Sequence, residues 1–252
     1  MPSPVCLSRD WVKAVSTIVA AVTMVNAHAS DADGSDRPKG FNSAFGLSSA
    51  TWSSVPGDLR GSGGSSVTGQ IQGTTRHWSF QLSMPFYLGG SSQTREPARL
   101  GRLVLGVDYR FQPTARLRLQ PYARELIDTN GARAIPALGN ATELGLGLGY
   151  RLSRNWDLSC RSGIRAEQVG DRKNLPVWMA VATFHFTPRD AFQFAILNSS
   201  ARFERLQDTR FASITWQRAI ADRWTLRVFA MKGLTTSSPG YLIGMGGTLR
   251  LK

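Results

Sequence analysis

From about Phe45 onward the chain alternates apolar positions with polar or glycine positions for ten or so residues at a time, and then breaks. Glu143 to Ser153 is the clearest case. Leu144, Leu146, Leu148, Tyr150 and Leu152 fall on one face, and Glu143, Gly145, Gly147, Gly149, Arg151 and Ser153 on the other. A period of two belongs to a strand, whose successive side chains point to opposite faces. Arg102 to Gln112 repeats it, with Leu103, Leu105, Val107, Tyr109 and Phe111 against Arg102, Gly106, Asp108, Arg110 and Gln112, and Val104 as the one apolar exception on the second face. The pattern predicts twelve strands, near 45–54, 65–73, 76–86, 101–112, 115–126, 142–153, 156–167, 176–186, 191–203, 210–219, 223–233 and 240–251.

The breaks alternate in length. Short ones at Gly73–Thr75, Gln112–Thr114, Ser153–Asn155, Thr187–Ala191 and Ile220–Asp222 take turns with longer ones near 55–64, 87–100, 127–141, 168–175, 204–209 and 234–239. The longer ones are rich in Gly, Ser, Pro, Asn and charge. Short turns at one end, longer loops at the other and an even strand count predict an all-β fold, a transmembrane antiparallel up-and-down barrel. Counted upward from a periplasmic N-terminus, every short break falls on the periplasmic side. Trp78, Tyr109, Phe111, Tyr150, Trp156, Phe184, Phe186, Phe192, Trp216 and Trp224 flank those short turns. On a closed barrel they would form a girdle at the inner membrane interface, where amphipathic rings are favoured. A soluble β-sandwich produces the same alternation along any one strand. The arginine-rich second face and the uniform turns favour the barrel, and closure removes the edge strands that a sandwich would have to protect.

Ahead of the strands, Arg9 and Lys13 precede an apolar stretch, Ala14 to Val25, and then the small-residue site Ala27-His28-Ala29. Basic region, short apolar core and A-x-A end predict a secretory signal over 1–29, cleaved between Ala29 and Ser30. The alternative is a buried N-terminal helix. Cys6 lies too early to be a lipidated residue at the cleavage site, and its removal would leave Cys160 as the one cysteine, without an intramolecular disulfide. Residues 30–44 read as a polar periplasmic lead-in, and 45–252 as the barrel.

Over 45–252 the chain resembles bacterial outer-membrane β-barrels of the small porin and channel type. The resemblance is one of pattern, without a signature motif, so no subfamily follows. It implies a Gram-negative outer membrane location, contact with outer-membrane lipids and lipopolysaccharide, delivery by export and barrel-assembly machinery, and a role in transport. The chain departs from such barrels at its end: they commonly close on an aromatic residue, whereas this one finishes Leu249-Arg250-Leu251-Lys252.

Charge sharpens the functional reading. The 252 residues carry 30 Lys and Arg against 17 Asp and Glu, a formal net charge of +13. Loss of Arg9, Lys13 and Asp10 with the signal would leave +12. Such a balance invites nucleic acid as a partner, but export, and basic residues spread over strands and turns rather than gathered beside aromatics, argue against it. Many of the arginines share the inward phase instead: Arg102, Arg110, Arg116, Arg118, Arg124, Arg151, Arg161 and Arg165, against the acids Asp108, Glu143, Asp157 and Glu167. Matching faces across the short turns sets Asp108 opposite Arg118, Arg110 opposite Arg116, Asp157 opposite Arg151, Glu143 opposite Arg165, and Arg161 opposite Gly147, the glycines opposite Arg161 leaving room for its side chain. A basic wall in a narrow passage focuses the field on anions, and guanidinium groups pair with carboxylate or phosphate. The expectation is therefore a passive, porin-like channel with preference for small anionic solutes. The alternative is a non-conducting structural or surface-binding barrel whose Arg–acid pairs plug the lumen.

Enzymatic readings fare worse. A hydrolase of outer-leaflet lipid would need Ser and His together near that leaflet. Asn198-Ser199-Ser200 has a suitable height, but His77 and His185 both sit beside short turns. Asp108 and Asp157 each face an arginine, as ordinary ionised carboxylates do. No metal-ligand cluster or phosphate-binding loop is present in the sequence, Gly145-x-Gly147-x-Gly149 being strand alternation, and no cofactor is called for.

Overall fold

The computed structural model describes residues 41–52, 64–90, 99–129, 139–169, 173–200, 208–235, 238 and 240–251. The signal segment, the lead-in as far as residue 40 and most of the 127–141 loop lie outside the described residues.

Alternation lets each segment satisfy its backbone against a neighbour while presenting one apolar face, and the described chain is all strand and turn. In order come β1 (Asn42–Trp52), β2 (Gly64–Thr74), β3 (Trp78–Gly90), β4 (Arg99–Leu100), β5 (Leu103–Tyr109), β6 (Leu117–Ile127) and β7 (Ala141–Arg151). Then follow β8 (Trp156–Glu167), β9 (Asn174–His185), β10 (Asp190–Ser199), β11 (Thr209–Ala221), β12 (Trp224–Gly233) and β13 (Tyr241–Leu251). Chain neighbours other than β4 and β5 pair antiparallel, and β1 pairs with both β2 and β13, which closes the sheet. Both β4 and β5 pair with β3, so together they make one stave broken at Gly101–Arg102, and the barrel has twelve staves. The break has a local cause. Pro85 of β3 has no N–H to offer that side of the ladder, and Gly101 N donates to Pro85 O at 2.7 Å as the chain presses against the proline ring. A Cβ on Gly101 would lie 2.5 Å from Pro85 Cγ.

Four of the short turns share one device, a hydroxyl that accepts the N–H three residues on. Thr75 takes it from Trp78 at 3.0 Å, Thr114 from Leu117 at 3.0 Å, Ser153 from Trp156 at 3.2 Å and Thr187 from Asp190 at 2.9 Å. Ser and Thr supply this substitute for a ladder bond when a chain reverses.

Each strand boundary falls within four residues of the sequence-based expectation, and 156–167 coincides. One turn differs in kind. Asp108 pairs with Tyr122 and Phe111 bridges Leu119, so the connection between β5 and β6 runs through 112–118 instead of ending at Thr114. Asp108 is therefore not opposite Arg118, nor Arg110 opposite Arg116. Thr114 Oγ1 holds both the Arg116 and Leu117 N–H groups inside this longer bend. The other pairings read from the sequence stand: Arg151 faces Asp157, Glu143 faces Arg165 and Gly147 faces Arg161.

The burial pattern is turned inside out. Leu146 is 51% exposed, Ile243 59% and Met245 60%, within a belt of apolar side chains that also includes Phe45, Phe80 and Ile196. Meanwhile Thr68, Gln120, Glu143, Arg165 and Gln193 are buried on the inward phase. Water would not tolerate so continuous an apolar exterior, whereas a bilayer requires it, together with a closed sheet that leaves no backbone unpaired. This is a transmembrane β-barrel, and the sandwich reading is set aside.

Candidate functional site: the lumen wall

Strands β5 to β8 carry the charged wall. Arg102 forms a two-pronged contact with Glu167, at 3.1 and 2.8 Å, and both side chains are buried. Glu143 is shared: it accepts from Arg124 Nη1 at 3.1 Å and from Arg165 Nε and Nη2 at 3.0 and 2.7 Å. Arg161 Nη2 donates to Asp108 Oδ1 at 2.9 Å. Nearer the short turns, Asp157 lies 3.6 Å from Arg151 Nε and 3.0 Å from His185 Nε2. Two of these pairs, Arg102–Glu167 and Arg161–Asp108, join β5 to β8 past the intervening strands. Tilted strands in a closed barrel bring residues of distant register to one height, and matching faces across single turns does not show that. Of the remaining arginines, Arg116 is exposed beside its turn, and Arg110 and Arg118 are half-buried near the same end.

Between the charges stands Tyr122, which sequence reasoning passed over. It is 5% exposed, with Arg124 Cζ 4.7 Å and Arg161 Cζ 4.5 Å from its ring centre. Cations over a ring face are attracted by its quadrupole. The glycines of β7 and β8 make the room. A Cβ on Gly145 would lie 2.5 Å from Tyr122 Cζ, and one on Gly163 would lie 2.5 Å from both the Tyr122 hydroxyl and the Leu144 carbonyl. By contrast, a Cβ on Gly147 would lie 3.8 Å from Arg161 Nε, an ordinary contact. Space is therefore kept mainly for the tyrosine. Gly163→Ala is expected to destabilise the barrel by about 1–3 kcal/mol, as overpacking does, because backbone as well as ring blocks the new methyl. Urea unfolding in lipid vesicles measures it, and an unchanged midpoint would contradict the packing described.

The facing wall is of another kind. Ala50, Tyr87, Leu197, Phe211, Phe229, Met231 and Leu242 form one buried cluster on the inward phase, toward the end with the longer connections. A cavity of about 50 Å³ lies between the two walls, with Tyr122, Arg124, Glu143 and Arg165 on one side and Val177, Met179, Leu197 and Phe211 on the other. Lower down the inward positions turn to amides and hydroxyls, among them Gln81, Gln193, Thr215 and Gln217, with Arg227 beside them.

On the outward phase at the short-turn end several aromatic residues lie in contact. Trp78 meets Tyr109 edge-on at 4.8 Å, Trp156 lies 5.0 Å from Phe184, and Phe186 stacks on Phe192 at 5.3 Å. Phe111, Tyr150 and Trp224 are exposed there, and Trp216 stands opposite Phe192. Cys160 is also outward and exposed. Ser199 is inward near the opposite end, and Ser200 Oγ contacts Asp208 at 3.4 Å. His185 is engaged with Asp157, and His77 Nδ1 lies 3.4 Å from the Arg110 carbonyl, so neither histidine accompanies the serines. Among the described residues no cluster of three or more His, Cys, Asp or Glu is placed to hold a metal ion.

No protein-family model matches the chain, and neither does any curated protein sequence. Solved structures do match in fold. A NanC porin aligns with a TM-score of 0.62 at 9% identity, over 82% of this chain and 100% of the porin. An outer membrane channel from Pseudomonas putida F1 aligns with a TM-score of 0.64 at 11% identity, over 87% and 99%. A KdgM porin, solved in complex with disordered oligogalacturonate, aligns with a TM-score of 0.60 at 8% identity, over 83% and 99%. At such identities the likeness is one of fold: the chain has the barrel architecture of outer-membrane porins and channels.

Proposed function

We propose that the mature chain is a passive, non-enzymatic outer-membrane channel that favours small anionic solutes. Removal of residues 1–29 as a signal, a lead-in from 30 that gives way to β1 at Asn42 rather than at 45, and contacts with lipopolysaccharide and with the export and barrel-assembly machinery belong to the same reading. The observation that carries it is the inward face of β5 to β8. It sets Arg102, Arg118, Arg124, Arg151, Arg161 and Arg165 against Asp108, Glu143, Asp157 and Glu167, an excess of arginine facing a confined space, while Arg110 and Arg116 stand beside the turn at its mouth. Confinement by a low-dielectric wall strengthens the attraction of such an excess for anions. The folds of the porins named above support passage as the activity, and the oligogalacturonate held by one of them is an acidic sugar chain of the charge this wall would draw. The aromatic belt at the short-turn end suits the inner interface of the membrane.

Reconstituted in planar bilayers across a potassium chloride gradient, the barrel is expected to give discrete conductance steps and a reversal potential on the anion side. A cation preference would reject the anionic reading. Silence would favour the second reading, a lumen held shut by side chains, for which the buried ion pairs and the apolar cluster around Phe211 speak.

A further inference from the structure

The arginine row of β5 to β8 is largely answered by acids, and the remainder of the lumen wall holds a cation that is not. Strands β9 to β13 and β1 to β3 contain one acid, Asp190, at a short turn and on the outward phase, where its Oδ1 lies 3.8 Å from Arg218 Nε. On this arc Arg227 of β12 takes the inward phase, two residues below the buried Phe229. Its Nη2 donates to Thr248 Oγ1 at 2.6 Å, which pins the head group to β13. Its buried Nε has no hydrogen-bond partner among the described residues. Directly opposite are Gln217 on β11 and Gly246 on β13, so an amide stands on one flank and no side chain on the other. Gln217 Oε1 and both amide atoms of Gln193, a residue 2% exposed, are also buried without partners among the described residues. Gln193 stands between the buried Thr215 and Thr183 in the register of the neighbouring strands.

Arg227 is part-buried, and a guanidinium nitrogen kept from water without a partner is costly, as is an amide without one. Groups of this kind persist where something else satisfies them. An oxyanion offers two lone-pair-rich oxygens to a guanidinium edge, and hydroxyls on the same solute can answer amides, each as donor and acceptor. We propose that Arg227, with Gln217 opposite it on β11 and Gln193 one strand further on, on β10, is the oxyanion-binding site of the lumen. It takes the carboxylate or phosphate of a small hydrophilic solute, and it weighs more in the anion preference than Arg102, Arg124, Arg151, Arg161 and Arg165, which acids already engage. The inference deepens the channel reading and rests on it for passage, but not for binding.

Two measurements separate these parts. In the first, the refolded barrel in detergent is heated with inorganic phosphate or, separately, with acetate at constant ionic strength, since a ligand of the folded state raises its unfolding midpoint. The wild type and Arg227→Lys are expected to respond to at least one of the two, and the one that acts tells phosphate from carboxylate. Arg227→Gln is expected to lose the response, and Thr248→Val, which keeps the charge but removes the pin, to weaken it. Arg250→Gln, which removes a unit charge at the exposed end of β13, is expected to retain it. No response in the wild type, or one that survives Arg227→Gln, overturns the site. In the second, reversal potentials in bilayers should show the anion preference lost in Arg227→Gln and kept in Arg250→Gln. Equal losses in both would assign the preference to net charge and overturn the selective role. A wild type that conducts nothing would reject the channel reading, while the thermal result still judges the site.

Discussion

Glu143→Ala is expected to destabilise the barrel by about 3–5 kcal/mol, the scale for breaking a buried ion pair by removing one partner. Glu143 is 3% exposed and accepts three hydrogen bonds from two arginines. Its loss strands both guanidiniums at once. Neither can swing to another acid without cost: Glu167 is already taken on both oxygens by Arg102, and Asp108 by Arg161. Arg124 is further held over the Tyr122 ring. Glu143→Gln, which keeps an acceptor and the shape, should cost less. Adding Arg165→Met to Glu143→Ala should recover part of the loss, because an apolar pair of similar volume often replaces buried charges without penalty. Urea unfolding in vesicles, followed by tryptophan fluorescence, reads all three. A cost for Glu143→Ala below about 1 kcal/mol, the range of solvated surface pairs, would mean that water fills the lumen at this height and the wall is an open anionic track. The same measurement thus bears on whether the ion pairs close the passage or merely line it.

How much of this was legible beforehand follows from which interactions are local. Alternation is a property of consecutive residues, so the staves of the barrel could be read from Leu144, Leu146 and Leu148 against Gly145, Gly147 and Gly149. The tight turn at Ser153–Asn155 likewise fixed Glu143 opposite Arg165 and Arg151 opposite Asp157. The β5–β6 register could not be read in the same way, because the bend runs on past Thr114, with Phe111 bridging Leu119, and alternation does not mark its length. Nor could the partnership of Asp108 with Arg161, which crosses from β5 to β8 and exists only once the sheet has closed with its tilt. Tyr122 was hidden for a third reason. It sits on the inward phase of a strand noted for arginines, and the signal that pointed to it, the glycines of β7 and β8, looked like room for Arg161 instead.

Arg227 was missed because a tally of arginines strand by strand rewards crowding, and β12 offers one inward arginine beneath Phe229 and Met231. Selectivity depends on the opposite property, a charge left without an answer. On the proposed reading the two halves of the wall divide the work. Arg102, Arg124, Arg161 and Arg165 join four strands across their tilt and rigidify one side. The opposite arc, apolar toward the loops and amide-lined below, has no acid on the inward phase of its described strands, so its few polar groups lack an acidic partner there.

Leu146→Arg is expected to cost about 2–4 kcal/mol, the value for a basic residue facing lipid at the bilayer midplane. Leu146 is the central residue of β7 and is half-exposed on the outward phase. No neighbouring acid could receive the charge there: the residues opposite it, Pro121 on β6 and Ser162 on β8, are uncharged. Leu152, at the short-turn end just past β7, shares the outward phase and a similar exposure of 55%. Leu152→Arg is nevertheless expected to cost only about 0–1 kcal/mol, because the penalty falls away toward the interface. The contrast carries the test. In a water-soluble sheet both leucines would be surface positions, and each substitution would stay within about 0.5 kcal/mol of neutral. Only a membrane gives two equally exposed leucines, six residues apart on one face, such different tolerances for the same charge. Unfolding of both variants in vesicles decides it, and equal, small effects would remove the bilayer from around this barrel.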